Sequence, residues 1–286
     1  MKSSEVKKRV KKHFEKLQPL YGNVLEDFEL EKIHDFRLRI KKLNSFLWLL
    51  NGDKPAGDLK IKQPLRHFYH TVGNVRNLQL HNQRIETLCK QLQLSPPLYY
   101  LQSLQQKERE EKASAREEAL HLDVKKHSNK LTKAAPKKLK RARIKNFIIN
   151  NFTALLTLLK QPVLRNEDLH EVRKILKRFL YVWPWIKDGL KTEFQPPLLN
   201  KRTCDNLSAI IGDFMDNIVA VSFFEPPYSL LETNAEEITV LQSLHAHIVA
   251  DKQRQYNDVV AALKNLLPST ETGRTSVSSP STTVLL

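Results

Sequence analysis

Apolar residues recur at helical spacing through almost the whole chain, and no stretch alternates apolar and polar residues as a half-buried strand does. That single period restricts the fold to packed helices. Breaks fall at Pro19–Gly22, Asn51–Gly57, Ser95–Pro97, Ala134–Pro136, Gln161–Pro162, Pro196–Pro197 and Pro226–Pro227. They predict about eight helices, near 2–18, 25–51, 59–94, 97–131, 137–160, 166–188, 199–224 and 234–267. Asp168 and Asn234 are placed to cap helix N-termini. Only 7 of the 286 residues are glycine, against a usual share of ~7%. Neither G-x-x-x-x-G-K-[ST] nor G-x-G-x-x-G occurs, which argues against P-loop and Rossmann folds.

Charge is the second constraint. The chain holds 47 Lys+Arg against 31 Asp+Glu, a formal net charge of +16. Such a surplus reflects either a polyanionic partner or a merely solvated basic surface. Cys89 and Cys204 form no C-x-x-C pair, so neither a disulfide framework nor a zinc finger is expected, and a reducing compartment is the default. The start is charged and lacks the apolar core of a signal peptide, and no apolar run reaches ~18 residues. The expectation is a soluble, cytoplasmic protein without membrane contact. Residues 107–123 mix charges at helical spacing and read as a solvated helix face. Residues 125–145 contain ten Lys/Arg and no acid. Residues 268–286 contain ten Ser/Thr and no apolar period, which predicts a disordered tail after one domain over 1–267.

The strongest motif is an internal repeat. Around His34 the chain reads IHDFRLRIKKL, and around His170 it reads LHEVRKILKRF. Counted from each histidine, basic residues fall at +3, +7 and +8: Arg37, Lys41 and Lys42, then Arg173, Lys177 and Arg178. Apolar residues fall at −1, +2, +6, +9 and +13: Ile33, Phe36, Ile40, Leu43 and Leu47, then Leu169, Val172, Leu176, Phe179 and Trp183. At about 100° per residue this gives each helix an apolar face and a cationic face opposite it. Gly73 follows the first copy and Gly212 the second at nearly the same interval. The agreement predicts a duplication with halves at about 1–133 and 137–267.

In these residues the sequence resembles the CHAD family, the conserved-histidine α-helical domain. His34, Arg37, Lys41 and Lys42 fit its pattern, as do His170, Arg173, Lys174, Lys177 and Arg178. The later G-x-x-R-[DN] element matches Gly73, Arg76 and Asn77, and the second half retains Gly212 and Asp216. The likeness runs from about residue 5 to 265. It implies an all-α fold of two antiparallel four-helix bundles related by a pseudo-twofold axis. It also implies that basic helix faces of both halves line one cavity for inorganic polyphosphate. Asn44 and Leu180 stand where the family often has another arginine, and Met215 stands in the place of Arg76.

A polyphosphate chain offers closely spaced oxygens and no bases. Arg37/Lys41 and Arg173/Lys177 form rows at helical i,i+4 spacing, with arginine able to grip phosphate bidentately. His34 and His170 can donate beside them. Lys62 and Lys201 lie eleven residues before the two glycines and are candidates for the same cavity. Lys7, Lys11, Lys137, Lys138, Arg141 and Arg143 read as an outer basic rim. The sequence thus points to non-enzymatic binding of inorganic polyphosphate in the cytoplasm or at polyphosphate granules, with no cofactor and no metal. Two alternatives stand beside it. Any cationic surface binds nucleic acid weakly and non-specifically, yet Phe36, Phe179 and Trp183 fall on the apolar stripe instead of forming stacking platforms. Glu31/His34, Glu118/His121 and Glu167/His170 have the E-x-x-H spacing of di-iron bundles, but His34 and His170 face away from the apolar stripe.

Overall fold

The computed structural model describes residues 3–52, 59–193, 200–225 and 234–266. Among these, nine α-helices and no strands occur: α1 (Ser3–Asp27), α2 (Leu30–Asn51), α3 (Gln63–Leu92), α4 (Leu98–Leu120), α5 (Val124–Ala134), α6 (Arg141–Leu159), α7 (Asn166–Glu193), α8 (Lys201–Ser222) and α9 (Ala235–Lys264). The all-α expectation holds. Asp123, Asn200 and Asn234 each accept a hydrogen bond from a first-turn amide of the helix they precede. The breaks expected at Pro196–Pro197 and Pro226–Pro227, and the tail 268–286, lie outside the described residues.

Two expected boundaries move. Helix α1 runs straight through Pro19, which stays exposed, and ends only at Asp27. A proline removes one helix hydrogen bond, while the longer helix keeps Leu17 and Val24 in the core. The reversal into α2 instead falls at Phe28, whose φ is 58°. A left-handed non-glycine residue costs roughly 1–2 kcal/mol. Full burial of the ring, worth ~1.5–3 kcal/mol, offsets it. The Phe28 carbonyl also accepts from Gln79 Nε2 at 2.9 Å, tying the turn to α3.

The helix expected over 97–131 splits into α4 and α5, with Asp123 starting the second by accepting from the Lys126 amide at 2.8 Å. Nor is the charged face of α4 simply solvated. Glu108 accepts from Gln79 Nε2 at 3.0 Å, Glu111 from Asn74 Nδ2 at 3.2 Å, and Glu118 from the Thr71 hydroxyl at 2.9 Å. These bonds lay α4 along α3.

Helices adjacent in the chain pack together in the same order in each half: α1 on α2, α2 on α3, α3 on α4, then α6 on α7, α7 on α8, α8 on α9. Helix α2 packs on α7 across the two halves, and α5 packs on α1. The apolar stripes of α2 and α7 lie where their phase puts them: Ile33, Phe36, Ile40, Leu43, Leu47, Leu169, Val172, Leu176 and Phe179 are buried, and Trp183 is half-buried against the core. Buried apolar residues form two clusters. The larger joins α1, α2, α5, α6 and α7 with parts of α3, α8 and α9. The smaller joins Leu78, Ile85 and Leu88 of α3, Tyr100 and Leu104 of α4, Val221 near the end of α8, and Leu244 and Ile248 of α9. Arg76 of α3 and Asp216 of α8 fall in sequence between the residues these helices give to the two clusters.

A candidate anion-binding recess between the halves

The two glycines and the two +3 arginines explain one another. In the first half the Arg37 guanidinium lies against α3, where a Cβ on Gly73 would stand 1.8 Å from Nη1. Nη1 donates to the Tyr69 carbonyl at 2.5 Å, and the guanidinium sits 4.3 Å from the centre of the Tyr69 ring. In the second half a Cβ on Gly212 would stand 3.0 Å from Arg173 Nη2, and Arg173 Nε donates to the Ser208 carbonyl at 3.3 Å. Tyr69 and Ser208 each precede their glycine by four residues. The glycines therefore make room for an arginine that lies flat on the following helix.

From there the basic faces converge. Lys41, one turn beyond Arg37, is accessible to solvent yet deep among protein atoms. Loss of hydration, together with Arg37, Arg173 and Arg76, pulls its pKa down to about 8. Asp216 opposes the shift, and Lys41 has no ion pair within the described residues. The charged groups that act on Lys41 come from α2, α3, α7 and α8, so charged side chains of these four helices gather around it, and this gathering is the candidate recess. His170 of α7 is held below the usual histidine range by burial, then by Lys174, Arg173 and, across the halves, Lys41. Lys177 is lowered by burial, although Asp205 Oδ1 lies 3.7 Å from its Nζ. Arg76 is half-buried, with an inaccessible Nε that has no hydrogen-bond partner.

Two further groups belong here: Asp216, which the sequence offered only as part of the second glycine element, and Arg84, which sequence reasoning missed. Asp216, solvent-accessible, has its carboxyl raised by burial and lowered by Arg173, Arg76 and Arg84. Arg84 donates to Asn217 Oδ1 from the same side of α3 as Arg76. Arg84 stands eight residues beyond Arg76, about two helical turns, and that spacing could have found it. Six cations, Arg37, Lys41, Arg76, Arg84, Arg173 and Lys177, thus meet Asp205, Asp213 and Asp216 as their neighbouring acids. The recess is positive.

Not every expected residue joins it. Lys42 is lowered by burial and by Arg39 and Lys16, and its neighbours place it on the α1 side of α2. Arg178 turns towards α6: it donates to Asn151 Oδ1 at 3.2 Å and Glu171 at 2.9 Å, and covers the Trp48 ring at 4.2 Å. Lys174 pairs with Glu171 at 3.1 Å on the exposed face of α7. His34 is exposed on α2. Lys62 and Lys201 stand at the starts of α3 and α8, the helices that carry the glycines. In the rim, Arg143 has a fixed post, donating to the Leu50 carbonyl at 2.5 Å at the end of α2. No group of three or more His, Cys, Asp or Glu able to hold a metal occurs among the described residues. No described helix is long and apolar enough to cross a membrane.

The chain belongs to the CHAD domain family, whose sequence model matches residues 8–224. Its fold is similar to the crystal structure of the CHAD domain from the plant Ricinus communis, with a TM-score of 0.66 at 14% identity over 92% of this chain and 91% of that one. No curated protein matches the chain significantly.

Proposed function

We propose that this protein binds inorganic polyphosphate, without catalysing a reaction on it, in the recess between two duplicated halves. One observation carries the reading: Lys41, accessible and without an ion pair among the described residues, feels the charges of Arg37, Arg76 and Arg173, which come from both halves of the sequence. A flexible polyanion entering the recess supplies the missing counter-charge and restores the ordinary pKa of that lysine. Family membership favours polyphosphate among polyanions. So does the burial of Phe36 and Phe179, which takes these two rings off the basic faces of α2 and α7. We place the binding in the cytoplasm, at polyphosphate granules, with weak nucleic-acid binding as a by-product of charge.

The test is competition. Long-chain polyphosphate on the full chain should resist displacement by single-stranded RNA or duplex DNA at equal phosphate concentration. Displacement at parity would turn the assignment to nucleic acid. The double variant Arg37→Ala/Arg173→Ala should bind polyphosphate at least tenfold more weakly, with a shallower salt dependence and unchanged helicity. Unchanged affinity in the folded double variant would move the site elsewhere.

A further inference from the structure

A second cationic cluster lies on the other side of α2, facing α1. Arg9, His13 and Lys16 are spaced at i, i+4 and i+7 on α1, and Arg39 and Lys42 at i and i+3 on α2. His13 is only 9% exposed and stacks on Phe46 at 5.6 Å between ring centres. Its Nδ1 is inaccessible and has no hydrogen-bond partner, and the same holds for Arg39 Nε. Burial, followed by Arg39, Arg9, Lys16 and Lys42, drives the His13 pKa down to about 4. Among the described residues Asp35 is the acid that acts on Lys42, from two turns back on its own helix, and Arg9 is shared with the Trp185 ring of α7 at 5.0 Å.

The second half shows what a neutralised version of this place looks like. Arg178 stands at the position of Lys42, and Glu171 at that of Asp35, in the repeat. There the cation is satisfied within the protein: Glu171 accepts from Arg178 at 2.9 Å, Asn151 of α6 accepts at 3.2 Å, and Trp48 covers the guanidinium. In the first half, α1 brings His13 and Lys16 to the site and adds charge instead of removing it. Four cations around a buried imidazole with an unpartnered nitrogen are a poor structural arrangement. They are a good one for an anion.

We propose that the seam between α1 and α2, where Arg9, His13, Lys16, Arg39 and Lys42 gather, is a second oxyanion site that takes a compact phosphate group. Arg39 and Lys42 supply the charge, and the anion favours protonation of the His13 imidazole buried beside them. The phosphate is either a free ion or the end of a longer phosphate chain, and the probes separate the two. The site is independent of the recess, because the residues that face it do not face Lys41.

Inorganic pyrophosphate is titrated into the full chain while the His13 ring resonances are followed by NMR. The expected result is a saturable shift with the His13 titration midpoint moving upward. It should survive in Arg37→Gln/Arg173→Gln and weaken at least tenfold in Lys42→Gln. Orthophosphate giving the same saturation identifies a free-phosphate site, whereas a response only to pyrophosphate and longer chains identifies a chain end. No saturable response of His13 to any of them overturns the proposal. So does a response lost in Arg37→Gln/Arg173→Gln and untouched by Lys42→Gln, whatever the fate of the recess. Should Lys42→Gln fail to fold by circular dichroism, the exposed Lys16→Gln serves instead. It should weaken binding about threefold, and unchanged affinity in folded Lys16→Gln counts against the site.

Discussion

Lys41 and Lys42 are neighbours in sequence and strangers in space. One residue turns a helix by about 100°, so the pair divides between the recess and the α1 seam, as Lys177 and Arg178 divide between the recess and α6. Lys41 gives the proposed function a pH signature. Its pKa is lowered to about 8, so the free protein loses that charge as pH rises through 8. A bound polyanion favours the charged form and draws a proton back. Polyphosphate affinity should therefore be full below about pH 7 and fall as pH rises through 8, with proton uptake on binding. Lys41→Arg keeps its charge over this range, and isothermal titration between about pH 6.5 and 9 should give a flatter profile for it. Equal slopes for both proteins would remove Lys41 from the site. Asp216 offers the opposite change: Asp216→Asn deletes a carboxylate facing Arg76 and Arg173, and should tighten polyphosphate binding several-fold in the same titration.

Among elements, the pairing of α2 with α3 and of α7 with α8 follows from one device, an arginine laid across a glycine. Gly73→Ala must displace Arg37, since the added Cβ falls 1.8 Å from Nη1, whereas Gly212→Ala meets Arg173 at 3.0 Å and needs only a small shift. Alanine improves helix propensity by roughly 0.5–1 kcal/mol. Losing the Arg37–Tyr69 hydrogen bond costs about the same. Urea unfolding should accordingly change by no more than about 1 kcal/mol in either variant. Polyphosphate affinity should drop much further for Gly73→Ala than for Gly212→Ala, and an equal loss in both would contradict the geometry. The helical faces were legible in the sequence because a period near 3.6 residues, repeated in the same phase around His34 and His170, arises from little besides paired amphipathic helices. The paired glycines were legible as positions but not as the seats of arginines. The convergence of Arg84 and Asp216 was not legible, because it depends on how α3 and α8 lie across α2 and α7. The straight run through Pro19 escaped the sequence for a local reason: the core contacts of Leu17 and Val24 outweigh one lost backbone bond, and a proline rule does not weigh them.

Taken whole, the molecule places its polar recess beside two apolar clusters, and one of those clusters contains a buried titratable group. His81 is 3% exposed, meets the Tyr100 hydroxyl at 3.1 Å, and stacks on Phe223 at 4.1 Å. Burial, then Arg84, lowers its pKa to about 3. The unfolded chain takes up a proton near pH ~6.5 that the folded protein refuses. This contribution to stability is complete above about 6.5 and is lost as pH falls towards 3. Between about pH 7 and 4.5 His81 alone should remove roughly 2–3 kcal/mol. His81→Gln should shrink the acid-induced fall in urea midpoint by that amount, and an unchanged fall would show that the imidazole is already charged in the folded state.

The composition of the two clusters has a consequence for dissecting the protein. Both draw on residues before 134 and after 140, and the smaller cluster is further closed by Glu237 of α9, which accepts from the Tyr99 and Tyr100 amides at the start of α4. A chain divided in the connector would leave each piece with exposed apolar residues that, among the described residues, pack on the other piece. Neither fragment is a smaller version of the whole; the two are complementary parts, and each should gain stability from association with the other.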